Sequence, residues 1–316
     1  MKSISAAALA VAVATASPAF AQTVGIGTTK GGATAQVSAA ISRVVTIGSK
    51  LEMRPQPMGG TQQYIPIVNA GEMDFGISDL PQYWMATTGT GLSNRKYENL
   101  ILVATMMTFR VGFLVADKSG IEKISDLRGR RIPFGFKASP LFQYIASGIL
   151  ANGGLGWEEV TKVPAVGLRQ HWDMFKEGKL DGVVAAVGTA AVEDMKAAVP
   201  GGVRYISLSD DPQAVKRTQK YYPKSYMKVV EPNSRIAGLT KPFNALHVDY
   251  MLWTYKGQKD EIVYQVVKTM YENEKALRET SPLWRSHSSR TMARKQGAPY
   301  HPAAVKFYKE VGIWAE

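Results

Sequence analysis

Thr23-Val24-Gly25-Ile26-Gly27 runs into Thr28-Thr29-Lys30-Gly31-Gly32, and Ala33 to Ile47 then carries apolar residues at Val37, Ala40, Ile41, Val44 and Val45. The first five residues read as a short strand, the next five as a glycine-rich loop, and the spacing of the apolar residues after them predicts a helix. The unit repeats at once. Leu51 to Arg54 reads as a strand, Pro57-Met58-Gly59-Gly60 as a loop, and Thr61 is placed to cap a helix bearing Tyr64, Ile65 and Val68 that stops at Gly71. Met73 to Ile77 is a third apolar run, ending at Ser78-Asp79. Strands alternating with helices predict a parallel sheet covered by helices, and in such sheets ligands sit beyond the carboxyl ends of the strands. All three loops follow strands, so they should meet at one edge.

Working outward, the stretch Thr87 to Arg95 reads as an exposed loop. Leu100 to Thr105 and Val111 to Ala116 read as two strands, Ile121 to Gly129 holds a short helix, and Arg131 to Phe136 is another strand. Ser139-Pro140 suits a helix start, with Ser as the cap and Pro in the first turn, and the apolar face that follows is Leu141, Phe142, Ile145, Ala146, Ile149 and Leu150. Val183 to Val187 is a strand leading into Gly188-Thr189 and a further helix. Ala245 to Tyr255 reads as a strand able to return between two lobes, and Asp260 to Glu279 as one amphipathic helix. One echo links the halves: Gly71-Glu72-Met73-Asp74-Phe75-Gly76-Ile77 resembles Gly178-Lys179-Leu180-Asp181-Gly182-Val183-Val184. Two lobes on one plan are expected.

The N-terminus sets the expected compartment. Lys2, the uncharged run Ile4 to Ala16, Pro18 and Ala19-Phe20-Ala21 have the pattern of a secretory signal cleaved after Ala21, which predicts a periplasmic protein. A chain of 316 residues with 45% hydrophobic content, less that leader, suits about two domains. We therefore expect residues 1–21 as leader, 22–112 with 239–316 as lobe I, and 113–238 as lobe II. Absence of Cys excludes a catalytic thiol, thiolate metal site or disulfide framework. The formal charge of +12 is scattered over the chain; it fits a solvated basic surface that also steers anions, and no nucleic-acid module accompanies it.

The matching segments, in order, are Gly27 to Ala35, Gly59-Gly60-Thr61 through Asn69 to Asp79, Asp126 to Ile132, Gly178 to Asp181, Tyr221-Tyr222 and His301-Pro302-Ala303-Ala304. By these the chain, from about Val24 to Trp314, resembles the TAXI family of TRAP-transporter solute receptors. The resemblance implies an α/β architecture, the type II periplasmic-binding-protein fold, with two α/β lobes joined by crossing hinge strands. It also implies delivery of a glutamate- or 2-oxoglutarate-like carboxylate to a TRAP membrane permease, by a monomer, with neither metal nor cofactor. One departure stands out. Where the family has a Gly/Ser-rich loop ending Ser-Gly-Thr, this chain has Lys137-Ala138-Ser139-Pro140-Leu141-Phe142. Solute-binding proteins of ABC importers, and ligand-presenting partners of membrane sensors, are the alternative readings.

A carboxylate needs donors already in place, and helix N-termini supply them. Thr29, Gly31, Gly32 and Thr34 form the first candidate terminus, Gly60 and Thr61 the second, and Ser139 the third. Ser78 and Asp79 end a strand at the same edge, as does Gly188. Arg110, between two predicted strands at the inter-lobe crossing, is the cationic candidate. Phe109, Phe142, Tyr222 and Trp84 are candidate walls. Enzymatic chemistry has little to rest on: His171, His247, His287 and His301 share no ligand spacing, and neither His-Glu-x-x-His nor Gly-x-Ser-x-Gly occurs.

Overall fold

The computed structural model describes residues 22–315; the expected leader lies outside the described residues. Strand β1 (Gln22–Thr29), helix α1 (Gly32–Gly48), strand β2 (Leu51–Met58), helix α2 (Thr61–Ala70), strand β3 (Gly76–Asp79) and helix α3 (Leu80–Thr88) follow one another as the opening sequence indicates. Helix α1 buries Val37, Ala40, Ile41, Val44 and Val45, the stripe that a 3.6-residue period puts on one face. Helix α2 begins after Gly60, so Thr61 is its first residue and not its cap. Asp79 does cap α3, its carboxylate accepting from Gln82 N at 2.8 Å.

Strand β4 (Leu100–Ala116) is a single 17-residue strand where two were expected. It is followed by β5 (Arg131–Gly135), α4 (Leu141–Asn152), β6 (Thr161–Ala165), α5 (Leu168–Lys176), β7 (Gly182–Ala186) and α6 (Ala190–Ala198). Strand β8 (Val203–Ile206), helix α7 (Pro212–Gln219) and strand β9 (Tyr226–Val230) lead to a second long strand, β10 (Phe243–Tyr255). Helices α8 (Asp260–Glu272), α9 (Glu274–Thr280) and α10 (Pro302–Glu310) complete the chain; the one helix expected over 260–279 breaks at Asn273.

Two sheets result. In the first, β1 lies parallel to β2 and bridges to Phe75, just before β3; β10 then pairs antiparallel with β3 on one side and β4 on the other. The order is β2-β1-β3-β10-β4. In the second, β5 lies parallel to β6, Asp181 N donates to Arg131 O to bring in β7, and β7 pairs antiparallel with the far half of β4. Strand β8 flanks that half on its other side, and β9 pairs with the start of β10. β4 and β10 thus belong to both sheets and pair continuously from Leu100↔Tyr255 to Val111↔Leu246, with register shifts at Tyr250/Met251 and Leu252/Trp253.

The cores change hands along these two strands. One apolar core takes β4 up to Met107 and β10 from Tyr250 onward; two others take Val111, Phe113 and Leu114 from β4, and Phe243 to Val248 from β10. Leu239, Phe243, Ala245, Leu246 and Val248, expected with lobe I, therefore pack with lobe II. The lobe I core centres on Trp253, whose ring stacks on Tyr64 and whose indole N–H donates to Ser78 Oγ at 3.0 Å. Among the described residues no helix is long and apolar enough to cross a membrane.

Candidate functional site

The carboxyl ends of β1, β2, β3, β5, β6 and β7 face one another across a cleft between the lobes. At its base is a chamber of about 40 Å³, enough for roughly one to three waters. Lobe I contributes Gly31 to Thr34, Thr61, Asp79 and Gln82, and lobe II contributes Leu141, Phe142, Ile145, Leu168, Trp172 and Thr189. Phe109 and Tyr250, stacked at 5.0 Å, form the floor on the two shared strands. The chamber shares Gly31, Gly32, Leu168 and Trp172 with an outer cleft of about 830 Å³, where Lys30, Arg169 and Lys176 stand beside Asp173 and Asp194. Lys176 is already paired with both acids, at 2.9 and 3.5 Å.

The lobes touch over the cleft. Ser139 Oγ donates to Gly59 O at 3.1 Å, and a Cβ on Gly60 would stand 2.7 Å from Ala138 O. Glycine at position 60 is what lets these two loops meet. This also corrects the expectation for Ser139: α4 starts one residue after Pro140 with no side-chain cap, and the Ser139 hydroxyl reaches across to lobe I instead.

Polar groups concentrate on the lobe I side. Thr34 Oγ1 and the Tyr250 hydroxyl are 2.5 Å apart. The Gln82 amide meets Thr61 Oγ1 and Gln62 Oε1 at one end and has no partner at the other. Asp79 is buried, and burial raises its carboxyl to about 6, against the lowering effect of Gln82 N and the Tyr222 hydroxyl. That hydroxyl, fully buried, faces Asp79 without a well-formed hydrogen bond. Among the described residues, no Lys, Arg or His lines the inner chamber.

The remaining expectations divide by position. Gly31, Gly32, Thr34, Thr61, Asp79 and Phe142 come together in the chamber; Thr29 lines the outer cleft, its hydroxyl turned to Gly31 O. Ser78 lies behind the chamber, bonded to Trp253 and to Asp79 O. Gly188 packs against Pro282 and is not part of the lining, and Trp84 lies under the Lys224 ammonium at 4.4 Å. Arg110 is on the wrong side. Successive residues of a strand face opposite ways, and Phe109 and Val111 face the chamber, so Arg110 points to the reverse of the hinge with Thr108. Gln82, Trp172, Tyr250 and Thr189 were not anticipated. Only Leu168 and Trp172, at i and i+4, carried a local signal.

The four histidines are dispersed. His171 is held down to about 4 by burial behind Trp172, its ring bonded to Val184 O; His301 accepts from Ala303 N at the start of α10. Among the described residues there is no group of three or more metal-ligating side chains.

Two lobes sharing two crossing strands define the fold of periplasmic solute-binding proteins, and solved structures of that class match over nearly the whole chain. MatC from Rhodopseudomonas palustris, solved with bound malate, is 15% identical with a TM-score of 0.56, covering 93% of this chain and 97% of its own. PhnD1 from Prochlorococcus marinus (MIT 9301), in complex with methylphosphonate, is 11% identical with a TM-score of 0.55, covering 92% and 99%. A putative periplasmic sulfonate-binding protein, SsuA, of a sulfonate ABC transporter from Methylobacillus flagellatus KT is 16% identical with a TM-score of 0.50, covering 94% and 97%. In sequence, residues 26–312 match the NMT1-like family, and the chain belongs to that family.

Proposed function

We propose that this protein is a periplasmic solute receptor that closes on a small anionic solute and passes it to a membrane importer. One observation carries the reading. Helices α1, α2, α4, α5 and α6 all begin at the cleft, and none has a side-chain cap. Each leaves unpaired N–H groups and the positive end of a helix dipole facing the same space. Five such ends form a donor field that an anion completes, with no cationic side chain needed in the chamber. Val111, Leu141, Phe142, Ile145, Leu168 and Trp172 select a solute whose remainder is apolar and small. The relatives named with malate, methylphosphonate and sulfonates support an acidic ligand in this fold; carboxylates of the glutamate and 2-oxoglutarate type belong to the same panel. We put the hinge at Thr108 to Arg110 and at Asp249, a reading supported by their position between residues of the separate cores.

For the partner, an ABC-type importer is the better supported reading, through the relative named as part of one. The TRAP permease implied by the resemblance to TAXI receptors is the second. Uptake that persists with ATP after the ion gradients are collapsed assigns the first; uptake that stops with the gradient assigns the second.

The test of the site is a thermal-shift and calorimetric screen of the chain from Gln22, refolded from denaturant to remove carried ligand. The panel is malate, glutamate, 2-oxoglutarate, methylphosphonate and alkanesulfonates, with matched amines and neutral amides. At ~100 times its Kd a ligand stabilises the native state by about 2.7 kcal/mol. A saturable rise with an acid, lost in Gly60→Val, supports the reading. Binding confined to amines or neutral solutes overturns it.

A further inference from the structure

The reverse of the hinge holds a second cavity, of about 450 Å³, separated from the solute chamber by the thickness of the β4–β10 pair. Four basic side chains line it. Arg110 and His247 face each other in register on the two shared strands; Lys228 comes from β9, which packs with lobe II; Arg285 comes from the turn Pro282–Ser286, whose Leu283 and Trp284 belong to the lobe I core. The acidic side chain among them is Glu231.

One carboxylate does not balance two guanidinium groups and an ammonium. Among the described residues, the side chains of Arg110, Lys228 and Arg285 make no hydrogen bond and no ion pair. For Arg110 this is costly, because its guanidinium is half-buried: burial disfavours its charge and the nearby Arg285 adds repulsion. The field is felt by its neighbours. His247 is held below the ordinary histidine range by burial, and further by the Arg110 and Lys228 charges, against a hydrogen bond to Ala245 O and the Asp249 carboxylate. The Tyr205 hydroxyl, close enough to favour the Arg110 charge, is buried without a partner. A five-donor guanidinium fork, an ammonium and a second guanidinium around one cavity match an oxyanion of more than one charge, which accepts two parallel bonds from Arg110 while neutralising the other two.

We propose that this cavity is a second ligand site, which takes a small multivalent oxyanion of the sulfate or phosphate type and ties the two lobes at the back of the hinge. The site is independent of the solute reading, since none of its lining residues reaches the cleft.

The experiment is a sulfate titration of the chain from Gln22, repeated with inorganic phosphate. Ionic strength is held constant with chloride, and binding is read by calorimetry and by Tm. Sulfate also raises Tm generally, by exclusion from protein surface, but that effect grows without saturating. We expect a saturable site, weakened tenfold or more in Arg110→Gln and in Arg285→Gln, and unchanged in the cleft variant Gly60→Val. Arg285 is exposed, so its variant folds even if removal of Arg110 disturbs the hinge. Absence of saturable binding in the parent overturns the proposal. So does binding undiminished from the parent in both arginine variants, or loss of binding in Gly60→Val, which would put the anion in the cleft.

Discussion

Lobe I and lobe II use the same turn in different surroundings. In lobe I, Asp74 accepts from the backbone N–H of Gly25 on β1 at 2.7 Å; in lobe II, Asp181 accepts from that of Arg131 on β5 at 2.8 Å. Each aspartate thus fastens the turn before a strand to the first strand of its lobe. Just beyond each one a glycine admits an aromatic ring. A Cβ on Gly76 would stand 2.2 Å from the Trp253 ring, and one on Gly182 2.3 Å from that of Phe113. The second carboxylate oxygens part ways: Asp74 takes the Gln258 amide, Asp181 the partly exposed Arg131 guanidinium. The strand ends differ too, with Asp79 closing β3 and Thr189 standing beyond β7. One backbone plan serves both lobes, and the titratable chemistry of the chamber has been placed on one of them.

The largest test removes the rings. Trp253→Ala and Phe113→Ala should each cost about 3–5 kcal/mol in urea unfolding. Both rings stand on strands that run through both sheets, so one cooperative transition is expected for each variant; two separated transitions would divide the lobes into independent units. Next comes Asp79. Its carboxyl is raised to about 6, so the folded chain keeps this proton where the unfolded chain, at an ordinary value of 3.8, has lost it. The group therefore favours folding below pH 3.8, and that contribution is lost as pH climbs through about 6, a change of about 3 kcal/mol at most. Asp79→Asn should remove that decline from the Tm–pH profile, whereas parallel profiles for variant and parent would contradict the burial argument. Anion binding in the chamber should weaken over the same pH window, through like-charge repulsion; for a cationic solute the trend reverses.

The matched aspartates give the smaller effects. Asp74→Ala strands the Gly25 N–H and the Gln258 amide, at a cost of about 2–3 kcal/mol. Asp181→Ala should cost about 1 kcal/mol, because water replaces it around an Arg131 side chain that is 46% exposed. Equal losses in the two variants would show that surroundings do not set the worth of this turn.

What could be read in the sequence was what local periodicity records. The strand–loop–helix units, the two-lobed plan and the echo between Asp74 and Asp181 all lie in windows of a few residues to a few tens. The hinge was less legible. Met106 to Arg110 passes from one core to another, so its neighbours alternate for tertiary reasons and the strand reads as two pieces. The chemistry of Arg110 suits an anionic ligand, but which face it takes depends on the direction of Phe109. A cap is the commonest local role for a serine before a helix, and the Ser139 hydroxyl reaches across the cleft instead. Gln82, Trp172 and Tyr250 come from three elements far apart in the chain, and no pattern within any one of them predicts their meeting. Helix α5 does carry an apolar spacing, Leu168, Trp172 and Phe175 at i, i+4 and i+7, but that spacing says nothing of which residues across the cleft it meets.

The placement of β10 has a consequence for how the chain reaches this structure. In the first sheet β10 stands between β3 and β4, so these strands, complete by residue 116, wait for a partner that begins at Phe243. Closing a loop of that length is a late and slow event in folding, because entropy is spent before the contacts form. The lobe II elements from β5 to β9 lie within one continuous segment and need only the first residues of β10 to finish. The order of assembly that follows is lobe II first, with lobe I sealed by the return strand. An amide-exchange pulse during refolding should find β7 protected before β3.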